Sequence, residues 1–178
     1  MGSIKTGEIL ERRKLESIRG ESIGIPDTSK YIHLQFRRFA GCPMCNLHLR
    51  SFMQRHEELI SSGIREVVVF HSSKESLLKN RNDVSFDLIA DPEKTLYKEF
   101  GVEKSVRSVL HPGAWLPALK GVLSVRFSLP EWGESTLGLP ADFLIGRDGQ
   151  VIACKYGKHA YDHWTVDEVI ELVQNASK

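Results

Sequence analysis

Residues 31–62 constrain this chain more than any other stretch. Tyr31-Ile32-His33-Leu34-Gln35-Phe36 alternates apolar and polar side chains and is rich in aromatic and β-branched types, which is the pattern of a strand. From Pro43 to about Ser62, apolar residues at Leu47, Leu49, Phe52, Met53, Leu59 and Ile60 are separated by charges, which is the pattern of an amphipathic helix. Gly41-Cys42-Pro43-Met44-Cys45 joins the two, so a pair of cysteines opens a helix just after a strand ends. The first helical turn has backbone N–H groups without intrahelical partners, and the helix dipole adds partial positive charge there. Both favour a thiolate. Thiols at helix N-termini and in Cys-X-X-Cys motifs titrate at roughly 3.5–7.5, against about 8.5 for a free thiol. Pro43 suits the first turn because its missing N–H would be unpaired anyway. Cys42 and Cys45 are therefore the candidate catalytic residues of an accessible redox dithiol, with Pro43 in support.

A zinc site is the sharper rival, since Cys42, Cys45 and His48 have ligand-like spacing. Zinc commonly draws its remaining ligands from a second Cys/His cluster. No second Cys-X-X-Cys exists, and Cys154 with His159 is a poor substitute, so no metal and no cofactor is expected. Asn46 follows the second cysteine where a c-type haem needs histidine.

With 178 residues, a net charge of +1 and 41% hydrophobic content, the chain reads as one soluble domain with a sizeable core. Near-neutral charge without a long Lys/Arg run argues against nucleic acid or an anionic membrane as partner. No apolar run approaches the roughly 20 residues that span a bilayer, and residues 1–19 lack a signal-peptide hydrophobic region. Three cysteines are too few for a disulfide scaffold, so the reducing cytoplasm is the expected location.

Thr6 to Leu15 reads as a short surface helix and Leu15 to Asp27 as a hairpin turning at Arg19-Gly20-Glu21. After the strand and helix described above, which ends at Gly63, Val67-Val68-Val69-Phe70 predicts a strand buried on both faces. Ser72 and Glu75 predict a capping box for a short helix. Phe86 to Ala90 is a third strand of this alternation, and Asp91-Pro92 starts a helix that ends at Gly101. Residues 104–138 are rich in Pro and Trp. Their apolar surface either packs on the domain, covers the thiols as a lid, or meets a second subunit in a homodimer. Ala141 to Ile145, an Asp148-Gly149 turn and Val151 to Tyr156 form a hairpin. Thr165 and Glu168 cap the last helix, whose buried face is Val166, Val169, Ile170 and Val173. The organisation is an N-terminal segment (1–14) and one domain (15–178) with an insertion at about 104–138. Strand–helix alternation predicts an α/β fold with a mixed central sheet flanked by helices.

This order resembles the thioredoxin fold. Members carry Cys-X-X-Cys at the start of the helix after a central strand, as in Cys42-Pro43-Met44-Cys45. They also carry a cis-proline before a strand leading into a hairpin, as in Leu139-Pro140-Ala141-Asp142-Phe143-Leu144-Ile145. The N-terminal hairpin and the insertion make the chain most similar to the peroxiredoxin-like branch, the alkyl hydroperoxide reductase/thiol-specific antioxidant group. The resemblance covers most of residues 15–175. It implies a cis Leu139–Pro140 bond lying against the dithiol, and a substrate-supporting role for Pro140 and Arg38. Cys42 stands where peroxiredoxins have a Thr or Ser that binds peroxide, and Arg38 where they have a Pro. Pro140 falls near the site of their peroxide-polarising Arg, for which Arg37, Arg38 and Arg147 are the candidate replacements.

The implied activity is reduction of hydroperoxides through a Cys42/Cys45 dithiol–disulfide cycle, with an external dithiol of thioredoxin or glutathione type as reductant. Peroxiredoxin spacing makes Cys45 the attacker; thioredoxin logic makes it Cys42. The alternatives are a protein thiol–disulfide oxidoreductase and a non-catalytic redox-sensing module. His48 is expected on the solvated helix face, His33 and His71 as satisfied core histidines, His159 and His163 in a surface loop, and Cys154 as buried and inert.

Overall fold

The computed structural model describes residues 2–81, 83–102 and 138–177. The insertion at 104–138 lies outside them except for Gly138. A five-stranded sheet has the order β5-β4-β3-β6-β7, built from β3 (Tyr31–Arg37), β4 (Ile64–Phe70), β5 (Asp87–Ala90), β6 (Ala141–Ile145) and β7 (Val151–Tyr156). β3, β4 and β5 run parallel, and β6 and β7 complete the sheet antiparallel. A separate antiparallel hairpin joins β1 (Arg13–Glu16) to β2 (Ser22–Ile25). This is the expected mixed α/β architecture.

Strand alternation sorts β3 into two faces. Ile32, Leu34 and Phe36 enter one apolar cluster with Val67, Val69, Phe143, the hairpin residues Ile23 and Ile25, and Tyr97 and Phe100 at α4 (Thr95–Glu99). The opposite face packs under α1 (Pro43–Gln54), α2 (His56–Ser61), α3 (Lys74–Arg81) and α5 (Val166–Ala176). There Leu49, Phe52, Leu59, Leu77, Val169 and Val173 meet Val68, Phe70 and Leu144. Beyond the half-buried Tyr31, β3 presents only polar side chains to that face, His33, Gln35 and Arg37, all buried.

Four local expectations change. Residues 6–10 are not helical: Ile9 bridges Gln150 in antiparallel fashion, and Gly7 N–H and Leu10 N–H donate to Val151 and Gly149 carbonyls. The segment gains sheet hydrogen bonds that an isolated short helix would lack. The single helix expected over 43–62 is two, broken at Arg55 (φ −113°, ψ 23°), which pairs with Glu58 and with Asp167 at the start of α5. The cap of α3 is Ser73, whose Oγ accepts from Ser76 N–H at 3.1 Å; Ser72 points inward instead. Asp91 does serve the following helix, accepting from the N–H groups of Thr95, Leu96 and Tyr97, though α4 itself begins only at Thr95.

The Leu139–Pro140 bond is not cis; among the described residues the cis bond is Ile25–Pro26. Pro140 is a strand-start proline. Its carbonyl accepts from Gly157 N–H at 2.9 Å, extending the β6–β7 ladder by one step. Gly157 permits this approach, since a Cβ there would lie 2.7 Å from the Pro140 ring and 2.5 Å from the Asp162 carbonyl.

Candidate active site

The carboxyl end of β3 delivers Arg37 and Arg38 into a short loop that turns straight into α1. That loop is pinned at successive backbone groups. His71 N–H donates to Arg38 O at 3.3 Å, Ala40 N–H donates to Ser72 Oγ at 2.8 Å, and Arg81 Nη2 donates to Ala40 O at 2.6 Å. Cys42 N–H closes a turn onto Phe39 O at 3.1 Å. Cys42 is then the N-cap of α1, Pro43 its first residue, and Cys42 Sγ accepts from Cys45 N–H at 3.4 Å. A sulfur therefore occupies the position where a Ser or Asp oxygen ordinarily satisfies an orphan N–H.

The two sulfurs lie 2.8 Å apart, and Arg38 Nη2 is 2.9 Å from Cys42 Sγ. They are neighbours, but not the accessible pair expected: Cys42 is 0% and Cys45 4% exposed. Burial opposes ionisation of both. For Cys45 that penalty is outweighed by the Cys42 thiol, the Arg38 guanidinium and backbone N–H, and Arg37, which bring it down to about 5. Burial and the neighbouring Cys45 push Cys42 well up, against the pull of Arg38. The two thiols are thus pushed in opposite directions, and the donors nearest them, Arg38 Nη2 and the Cys45 N–H, both point at Cys42 Sγ. Among the described residues no cluster of three or more His, Cys, Asp or Glu could hold a metal ion.

Of the three candidate arginines, Arg38 alone touches a sulfur. Arg37 points under the sheet face, with Nη2 at 2.6 Å from Asp142 Oδ1, 2.6 Å from Gln35 Oε1 and 2.9 Å from His48 Nε2. Arg147 is at the opposite end of β3, its guanidinium 4.9 Å above the Tyr31 ring. Pro140 continues the β3–β6 register beyond Ala141 and so stands level with Arg37.

Beneath α1 lies a buried polar layer that sequence reasoning missed in part. His33 sits between Glu66 (2.9 Å) and Asp142 (3.3 Å), and Gln35 Nε2 donates to Glu66 at 2.5 Å. Burial alone would lower the His33 pKa, but the two carboxylates raise it to about 9, so it is an imidazolium. Asp142 is held far below the usual carboxylate range, despite burial, by Arg37 and His33. His48 is not solvated: it is 3% exposed, and its ring lies 3.5 Å from that of the half-buried His163. Burial, with nearby cationic groups, keeps both imidazoles neutral, His163 down to about 3. The sequence signal was the spacing Phe52–His48–Cys45, which puts His48 on the apolar face of α1. Cys154 is half-buried rather than enclosed, within 3.7 Å of Thr6 Oγ1.

Residues 51–159 match the family model described as AhpC/TSA antioxidant enzyme. The chain belongs to that family. The matched segment begins after Cys45, so AhpC/TSA membership is carried by the scaffold rather than by the thiols. Solved structures agree on the fold at low identity. Peroxidoxin BcpB from Mycobacterium tuberculosis superposes with a TM-score of 0.70 at 15% identity, over 97% of each chain. Peroxiredoxin Q from Xanthomonas campestris gives 0.67 at 18% identity, over 93% of this chain and 92% of that one. A putative thiol:disulfide interchange protein DsbE from Chlorobium tepidum gives 0.62 at 16% identity, over 96% and 99%. Among curated proteins none matches. In the described residues of this AhpC/TSA member, no helix is long and apolar enough to cross a membrane.

Proposed function

We propose that the protein reduces hydroperoxides through a cycle between Cys42 and Cys45. The observation that carries this reading is the 2.8 Å approach of the two sulfurs beside Arg38, and the lowered pKa of Cys45 makes it the attacker in this reading. The Cys45 thiolate attacks the outer peroxide oxygen, the O–O bond breaks, and the departing alkoxide takes a proton and leaves as an alcohol or water. Cys45 is then a sulfenic acid. The Cys42 sulfur attacks it, a disulfide forms, and hydroxide leaves with the Cys42 proton as water. An external thiol reductant returns two electrons. Arg38 steadies the thiolate and the departing oxygen, and Pro43 fixes the first turn that bears both cysteines. Because both sulfurs are buried, the peroxide reaches them through a local opening, which favours small hydroperoxides.

The deciding experiment measures peroxide consumption, with sulfenic-acid trapping, in wild type, Cys42→Ser and Cys45→Ser. Cys42→Ser retains a trappable sulfenic acid and loses turnover, whereas Cys45→Ser loses both. No adduct in any form ends the peroxidase reading. The second reading, a thiol–disulfide oxidoreductase, draws on the Cys-X-X-Cys at a helix N-cap; it predicts insulin disulfide exchange without peroxide consumption.

A further inference from the structure

A disulfide is uncharged, so every contact that stabilises a thiolate favours the reduced pair over the oxidised one. At this site those contacts come from several elements. Arg38 and Arg37 end β3, and Arg38 Nη2 sits on Cys42 Sγ. Arg81 reaches in from α3; it is buried, stacks 5.9 Å over Phe70 and donates to Ala40 O, while its Nε finds no partner. Its charge is opposed by burial and favoured by the two thiols more than by Asp83. The first-turn N–H of Cys45 adds a further donor. Among the described residues, Tyr97 from α4 and His71 after β4 also border the pocket, and neither is a carboxylate. Oxidation deletes the thiolate and leaves buried guanidiniums facing neutral sulfur.

We propose that the Cys42–Cys45 disulfide is a strong thiol oxidant, able to draw electrons from ordinary, weakly reducing thiols of the glutathione class rather than requiring a strongly reducing dithiol. The inference rests on the dithiol cycle proposed above. A thiolate RS⁻ attacks one sulfur, breaking the protein S–S bond and giving a mixed disulfide. A second RS⁻ attacks the thiol donor's sulfur in that intermediate, releasing RSSR. Two electrons pass to the protein; of the two protons lost by two RSH, one settles on Cys42 and the other goes to solvent.

The test equilibrates the whole chain in glutathione redox buffers, quenches by alkylation and counts free thiols by mass. The expected midpoint at pH 7 is at least a hundredfold more oxidising than that of thioredoxin, about 60 mV. From pH 6 to 8 the midpoint falls by about 30 mV per unit, the tenfold-per-unit change of a couple that takes up one proton with two electrons. Arg38→Met shifts the equilibrium at least tenfold toward disulfide, about 30 mV. A wild-type midpoint at or below that of thioredoxin, or a slope near 60 mV per unit, overturns the inference while leaving the dithiol cycle intact, and neither measurement needs a variant to fold. A disulfide that never forms, even under excess oxidant, overturns the cycle and this inference together.

Discussion

Two buried polar regions lie within one helix turn of each other, and they handle charge in opposite ways. The layer of His33, Gln35, Arg37, Glu66 and Asp142 is balanced: an imidazolium and a guanidinium face two carboxylates, at distances of 2.6–3.3 Å. The thiol pocket differs among the described residues: Arg38 donates to the Cys42 sulfur, and the two thiols favour the charge on Arg81. In the first region the groups satisfy one another, and removing one leaves an uncompensated charge. In the second, guanidiniums face sulfur rather than carboxylates. The comparison teaches that the same residue type, in adjacent positions where β3 ends, pairs with a carboxylate at position 37 and with a sulfur at 38. Strand alternation sends the one beneath α1 and the other into the loop.

The sharpest way to break this comparison is Asp142→Ala. It strips Arg37 and His33 of a shared partner in a dry site and should destabilise by about 3–5 kcal/mol, measured by urea unfolding. A loss under about 1 kcal/mol would mean that the layer is not charge-balanced as drawn. Ser72→Ala addresses the pocket instead. It leaves the Ala40 N–H buried without its acceptor, for an expected loss of about 1–3 kcal/mol. It should also slow peroxide reduction, because the loop that holds Arg38 and Cys42 is released; unchanged rates would show that the loop is held by other means.

The pH dependence separates the two regions directly. His33, raised to about 9, contributes stability that is complete below about 6.5 and lost as pH rises through 9. Cys45, lowered to about 5, contributes stability that is complete above about 9 and lost as pH falls through 5. Between pH 6.5 and 9 these slopes oppose each other, so the wild type should be nearly flat. The double variant Cys42→Ala/Cys45→Ala should expose the His33 slope alone, falling by up to about 1.4 kcal/mol per pH unit. Identical profiles for the two proteins would place no thiolate at the site. The smallest effect is expected at an exposed helix cap: Thr165→Ala removes the capping box of α5 and should lose about 1 kcal/mol with no change in peroxide reduction.

Much of the molecule was legible as pattern. Period-2 alternation located β3, the run Val67-Val68-Val69-Phe70 marked a doubly covered strand, and Thr165 with Glu168 marked a helix start, because each signal is local to a few consecutive residues. Where partners come from afar the reading failed. The histidine at position 48 looked solvent-facing until His163, over a hundred residues later, folded against it. The serine at 72 looked like a cap until the Ala40 N–H claimed it. The expected cis bond at Pro140 gave way to a sheet hydrogen bond from Gly157.

By itself the sequence determined that two cysteines would open a helix at the end of a central strand, since spacing, the proline between them and periodicity require nothing distant. Only the tertiary structure decided how the acidity of the two thiols is shifted and which arginine attends them. Those outcomes are set by depth of burial and by charges arriving from β3 and α3, and electrostatic energy depends on distance through space rather than on position along the chain.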